Sequence, residues 1–306
     1  MGKISVAEIK NLMKTTGVGM MDCKKALEET EGDTEKAIII LREKGLATQA
    51  KKADRVAAEG IVTAITNEDN TVGAVVEVNI ETDFAAKNEK FIAFVDNVAK
   101  TVIEQNPADL DELNAATISG GTATVAETLS ELFISIRENI QIRRFKRMEG
   151  LLAPYIHDGG KIGVMVNLAT DAASDAILSA GRDCSLQVAA MNPPYLNRDE
   201  VPDSAIEEEK NIMLSQMAED PKMASKPEQV RMKIVEGKIG KYYGENCLLE
   251  QSFVKDNTLT IQKYLDTVAK DAGTSITISE FVRFERGEGI EKKEDNLADE
   301  VAKMIK

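Results

Sequence analysis

The period of hydrophobic residues changes within residues 78–91, VNIETDFAAKNEKF. An alternating apolar strand ends at Thr82 and Asp83, and a helix begins beyond them. Thr and Asp suit that boundary because their side-chain oxygens accept hydrogen bonds from the free N–H groups of a helix start. On the turn sits Phe84, flanked by Asp83, Ala85 and Ala86. A large ring there either folds back into the core or waits for something outside the molecule. Downstream, Phe91, Phe94, Val95, Val98 and Val102 recur at helical spacing and are expected to be core.

The same pattern occurs twice. EGIV at Glu59–Val62 and EGLL at Glu149–Leu152 each lead through a turn to a matching strand end, VNIETD at Val78–Asp83 and VNLATD at Val166–Asp171. The halves read as copies of one strand–turn–strand–helix unit. Ala172 in the second copy stands where the first has Phe84, so the turn itself needs no large ring and Phe84 is a candidate for outward duty.

Outside the repeat the periodicity is helical. Residues 4–44 read as three short helices: Val6, Ile9, Leu12 and Met13 mark the first, TGVGMMDCKKALEET the second, and EGDTEKAIIILREKG the third, with Asp33 as its N-cap and Gly45 as its stop. A polar, basic connector, ATQAKKADRVAAEG, separates this bundle from the rest and reads as a solvated helical linker. Residues 199–237 read as a helical hairpin, with Ile206, Met213 and Met217 striping one arm and Val230 and Ile234 the other, and Pro221 and Pro227 between them. Leu297, Val301, Met304 and Ile305 predict a last amphipathic helix.

Composition narrows the function. A net charge of −14 over 306 residues repels a phosphate backbone and argues against nucleic acid as the main ligand. No apolar run of about 20 residues predicts a membrane span. The opening MGKISVAEIK is charged and amphipathic, without the apolar region of a secretion signal, the Arg/Ser-rich leader of organelle import, or the Ser or Thr of a myristoylation signal. Three widely spaced cysteines, Cys23, Cys184 and Cys247, fit a reducing cytoplasm. With one histidine, His157, and no CxxC pair, no zinc site is expected, and no cofactor. The glycine-rich stretches TGVGMM, GKIGKYYG and GEGIEK lack the spacing that cradles phosphates. The sequence does not read as that of an enzyme.

Five separated motifs carry a resemblance. TGVGMMDCKKAL at Thr16–Leu27, TDFAAKN at Thr82–Asn88, ENIQIRR at Glu138–Arg144, YIHDGGKIGV at Tyr155–Val164 and FVRFERGEGIEK at Phe281–Lys292 occur in the order of the bacterial elongation factor Ts family, and the chain resembles that family over nearly its whole length. Ala85 stands where the family has Val, which would trim a contact beside Phe84, and Arg137 and Arg286 replace an expected Gly and Val.

The resemblance implies an α+β fold. Residues 1–55 would be a ubiquitin-associated-like (UBA-like) three-helix bundle with its linker, and residues 56–142 the first core subdomain. Residues 143–198 and 238–286 would form the second, interrupted by a hairpin at 199–237 that mediates dimer contacts, before a terminal helical module at 287–306. The strand pairs predict antiparallel sheets with helices on one face. It further implies guanine-nucleotide exchange on elongation factor Tu, without covalent chemistry. Thr82, Asp83, Phe84 and Ala85 would dislodge Mg2+ from Tu, and Met20, Met21, Lys24, His157 and Gly160 would bind Tu. Two alternatives use the same residues differently. A UBA-type adaptor would need the bundle but have no use for the Phe84 turn, and a small hydrolase centred on His157 and Asp158 would turn over substrate without a partner.

Overall fold

A computed structural model describes residues 4–291. The expected helix bearing Leu297, Val301, Met304 and Ile305 lies outside the described residues. Three helices open the chain, α1 (Val6–Thr16), α2 (Met20–Glu29) and α3 (Thr34–Lys52). The first core unit follows: β1 (Glu59–Thr66), β2 (Val72–Ile80), the single turn α4 (Asp83–Ala86), α5 (Glu89–Gln105), α6 (Leu110–Ala115), α7 (Val125–Ile136) and β3 (Ile140–Glu149). The second comprises β4 (Leu151–His157), β5 (Ile162–Ala169) and α8 (Asp175–Met191). It continues through α9 (Asp203–Glu219), α10 (Pro221–Ala224), α11 (Glu228–Asn246), the ribbon β6 (Ser252–Phe253) and β7 (Asp256–Thr260), α12 (Ile261–Ala272) and β8 (Thr277–Glu285). The fold is α+β, with antiparallel sheets ordered β1-β2-β3 and β4-β5-β8.

The two sheets share a construction that follows from the sequence repeat. Each central strand is bulged near its end, at Glu77/Val78 in β2 and at Asn167/Leu168 in β5. In each, an asparagine side chain donates to the carbonyl of a glutamate on the neighbouring hairpin strand or just before it: Asn79 to Glu59 at 3.1 Å and Asn167 to Glu149 at 2.9 Å. The glycine after that glutamate is left-handed, Gly60 at φ 131° and Gly150 at φ 141°, and a Cβ on either would stand 2.1 Å from the facing strand. Both following helices span 17 residues and end on an asparagine in the left-handed region, Asn106 and Asn192, before a proline.

Packing uses both faces of each sheet. Ala74, Val76, Val78 and Ile80 of β2 turn towards Phe91, Phe94, Val95, Val98 and Val102 of α5, so the helical stripe is core as expected. On the opposite face Val62, Ala64, Val75 and Met148 meet Leu152 and Met165 of the second sheet. Val164, Val166 and Leu168 of β5 turn away from that seam to Ile177, Cys184 and Val188 of α8. The core is thus two sheets face to face, each covered outside by its own helices.

A carboxylate sits in this seam. Glu77 is fully buried, and its oxygens accept from Arg143 at 3.0 Å, Arg144 at 2.6 Å, Asn79 at 3.2 Å and the backbone N–H of Gly287 at 2.8 Å. Arg144 also lies over the Phe284 ring at 4.2 Å and pairs with Glu288 at 3.0 Å. Next along the chain, Arg286 pairs with Glu59 at 3.0 Å and its N–H donates to the carbonyl of Lys161. One buried charge therefore joins β2, β3 and the turn after β8.

Two sequence expectations are corrected. Gly45 does not stop the third helix, because α3 continues to Lys52. Gly45 instead faces α7, where a Cβ would come within 2.3 Å of Ile134 Cγ1, so the glycine serves close helix approach rather than termination. In the hairpin, Ile206, Met213 and Met217 are buried as expected, but the facing stripe is Val235 and Ile239, Ile234 is half-buried and Val230 is exposed. The second arm also runs on to Asn246, which shifts its inward face along the helix. Asp33 does cap α3, accepting from the Lys36 N–H at 3.1 Å.

Removing the buried carboxylate should be costly. Glu77→Ala is expected to lower unfolding free energy by about 3 kcal/mol, the low end for breaking a buried charge pair because both arginines keep some contact with water. Urea denaturation monitored by circular dichroism checks this, and a loss under about 1 kcal/mol would mean that Glu77 is not the seam's anchor.

Candidate protein-docking site

The turn after β2 is held from both sides. Thr82 caps α4 by accepting from the Ala85 N–H at 3.2 Å, while its own N–H and hydroxyl donate to Glu138 at 3.0 and 2.8 Å. Asp83 pairs with Lys87 at 2.9 Å; the hydrogen bond from that ammonium holds the Asp83 carboxyl below its ordinary value. Ala85 and Ala86 are buried in the first core unit, so Ala85 packs inward, and the small side chain here is a matter of core packing rather than of a contact beside Phe84. Phe84 points the other way and is 84% exposed. A one-turn helix directs successive side chains around its axis, so burying Ala85 and Ala86 turns Phe84 to solvent.

The second copy differs in more than the ring. Residues 170–174 form no helical turn, Ala172 is exposed, and the Ala172 N–H reaches back to Thr170 Oγ1 at 3.3 Å. Ser174, not Thr170 or Asp171, caps α8, accepting from the Ile177 N–H at 3.3 Å.

The bundle exposes a second apolar surface. Met20 and Met21 open α2 and are both exposed, while Cys23, Ala26 and Leu27 on the other side of the helix fill the bundle core with Leu12 and Leu41. Lys24 is exposed beside them and pairs with Glu28 at 3.6 Å. Methionines adapt their shape to a partner, which suits an outward apolar pair.

His157 ends β4 on an exposed turn, where its Nδ1 lies 3.2 Å from the Tyr155 hydroxyl. Gly160 closes the turn at φ 95° and is buried; its carbonyl accepts from the Val62 N–H at 2.8 Å, and a Cβ would stand 2.8 Å from Ile61. The turn is thereby fastened to β1 across the seam. Among the described residues no group of three or more His, Cys, Asp or Glu is arranged to hold a metal ion, and no helix is long and apolar enough to cross a membrane.

Sequence reasoning passed over the supports of this surface: Glu138 under Thr82, Arg137 against Asp22, and Asn139 on the connector. Glu138 and Asn139 lie in the ENIQIRR motif, but contacts 56 and 84 residues distant leave no trace in local spacing.

Comparison with known proteins defines the class. The family described as Elongation factor TS matches residues 81–288. Among curated relatives, "Elongation factor Ts" of Clostridium kluyveri is 48% identical over 306 residues, covering 99% of each chain. That of Clostridium perfringens is 49% identical over 304 residues, covering 98% of this chain and 99% of the relative. That of Syntrophotalea carbinolica is 47% identical over 308 residues, covering 99% and 100%. This chain belongs to the elongation factor Ts family and is a translation elongation factor of that type.

The thiols should be inert in the folded protein. Burial raises all three, Cys184 to about 12 and Cys247 to about 11, with the charges of Asp183 and Glu250 adding to the effect. Only a thiolate attacks a disulfide reagent, and these groups stay protonated at pH 8. Ellman's reagent at pH 8 is expected to find almost no thiol in native protein and three in guanidinium. Rapid release of one equivalent without denaturant would contradict the burial.

Proposed function

We propose that the chain binds elongation factor Tu carrying GDP and promotes replacement of GDP by GTP through protein contact, as a cytoplasmic exchange factor rather than an enzyme. The observation that carries this reading is the exposed Phe84 ring on a turn whose neighbours are fastened to the core. Burying a phenylalanine side chain is worth about 1.5–3 kcal/mol. That stabilisation becomes available only when a partner covers the ring, so it can offset the loss of contacts inside the partner.

In a GTPase the diphosphate is held by a phosphate loop and by Mg2+. Phe84 is the wedge that enters Tu near the Mg2+ site, Thr82 and Asp83 shape its turn, and Ala85 anchors it. Met20, Met21 and Lys24 dock the bundle on the GTPase domain, with His157 and the Gly160 turn as a further contact. The outward Ile212, Val230 and Met232 support a role of the hairpin in pairing with a second copy.

Phe84→Ala is expected to slow stimulated release of a fluorescent GDP analogue from Tu at least tenfold, a loss of about 1.4 kcal/mol or more, while the melting temperature stays within about 2 °C of wild type. A ring buried in its own core would instead cost about 3–5 kcal/mol of folding stability. Unchanged exchange by a normally folded variant would overturn the wedge.

A further inference from the structure

Three consecutive residues after α7 reach three different parts of the molecule. Arg137 pairs with Asp22 of α2, next to the exposed Met20 and Met21, while its carbonyl accepts from Lys52 at the end of α3. Glu138 holds the Thr82 turn by both oxygens. Asn139 donates to the connector carbonyls of Ala53 at 3.1 Å and Arg55 at 2.7 Å, and its N–H reaches Glu81, which also pairs with Arg55. The connector is thus tied to the start of β3 through its backbone carbonyls, while residues 53–56 stay exposed as expected of a solvated linker.

The bundle is seated as well as tied. Ile134 of α7 packs against the bundle core, α3 approaches α7 at Gly45, and Arg42 pairs with Glu131 at 3.3 Å. Arg137 itself occupies a left-handed helix cap, φ 65°, where glycine would be less strained. From that cap its side chain reaches the bundle through the pair with Asp22.

We propose that Arg137, Glu138 and Asn139 form a positioning joint that fixes the Met20–Met21 surface of the bundle relative to Phe84, so that the free factor meets Tu with one rigid two-point surface. The proposal rests on the exchange reading above and assigns Arg137 as a positioning residue. If the bundle swung freely, only the fraction of molecules in the docked pose would engage both points, and apparent affinity would fall by that fraction.

Two substitutions test it, each favourable to its own helix. Arg137→Gly relieves the left-handed cap, and Gly45→Ala adds a better helix former inside α3, so neither should destabilise its segment. Both should loosen the bundle, the first by removing the Asp22 pair and the second by pushing α3 off Ile134. Spin labels at Glu43→Cys on α3 and Lys100→Cys on α5 report the pose in full-length free protein, since the native cysteines are buried.

The expected result is a narrow wild-type distance distribution that broadens in both variants, with the melting temperature unchanged or higher in Arg137→Gly. Half-saturating factor concentration for GDP release should rise about two- to fivefold, the range an exposed ion pair controls, with the maximal rate unchanged. Asp22→Arg combined with Arg137→Asp should restore the narrow distribution. A broad wild-type distribution, or broadening without any rise in half-saturation, overturns the proposal. Wild-type protein that does not accelerate GDP release overturns the exchange reading instead, while the distances, measured without Tu, still decide whether the joint holds the bundle.

Discussion

The alignment of the two core sheets depends on the carboxylate of Glu77. Two sheets that each bury both faces leave little room for charge, yet the seam between them holds this one with four donors. Apolar packing across the seam, from Val62 and Val75 to Met165, is strong but not directional, and two flat faces could slide. Hydrogen bonds to Arg143, Arg144 and the Gly287 N–H fix direction and register together. The β8 turn is placed in this way, and with it the Arg286 contacts to Glu59 and Lys161. Since Gly160 also binds Val62 across the seam, the exposed turn of His157 and the strand leading to Phe84 are parts of one body.

Much of the fold was legible because its signals are local. The duplicated EG and VN motifs mark the ends of paired strands, and the Phe91–Val102 stripe has helical period, so antiparallel hairpins followed by helices could be read directly. Asp33 was legible as a cap for the same reason. Gly45 misled because glycine at a helix end and glycine at a helix crossing look alike in sequence; only Ile134, 89 residues away, distinguishes them. Val230 misled because a hairpin has two candidate faces, and the facing arm decides between them.

The exposed ring itself was half legible. Comparing the two copies showed that the turn did not require Phe84, but not which way the ring pointed. Its direction follows from Ala85 and Ala86, whose burial in the first core unit leaves the outward side of α4 to Phe84. Glu77 left a clue that went unread: a carboxylate inside AVVEVNI must be either on a wet face or paired, and in a strand this apolar the second is the economical reading.

The repeat explains why one copy carries a tip and the other does not. Both hairpins end in a Thr–Asp pair, but only Thr82 has a glutamate beneath it, and only its turn coils into α4. Around Thr170 the backbone stays open, and the helix cap passes to Ser174. An exposed aromatic on an open loop would lose conformational entropy on binding, whereas one on a capped turn has given up most of that freedom on folding. The structural difference between the copies is therefore not the ring alone but the ring together with Glu138. The residues on either side of Glu138 carry the same fixation to the bundle and its connector. These contacts cluster where the first repeat meets the N-terminal helices, while the second repeat, whose turn bears no tip, accommodates the helical hairpin as its insertion.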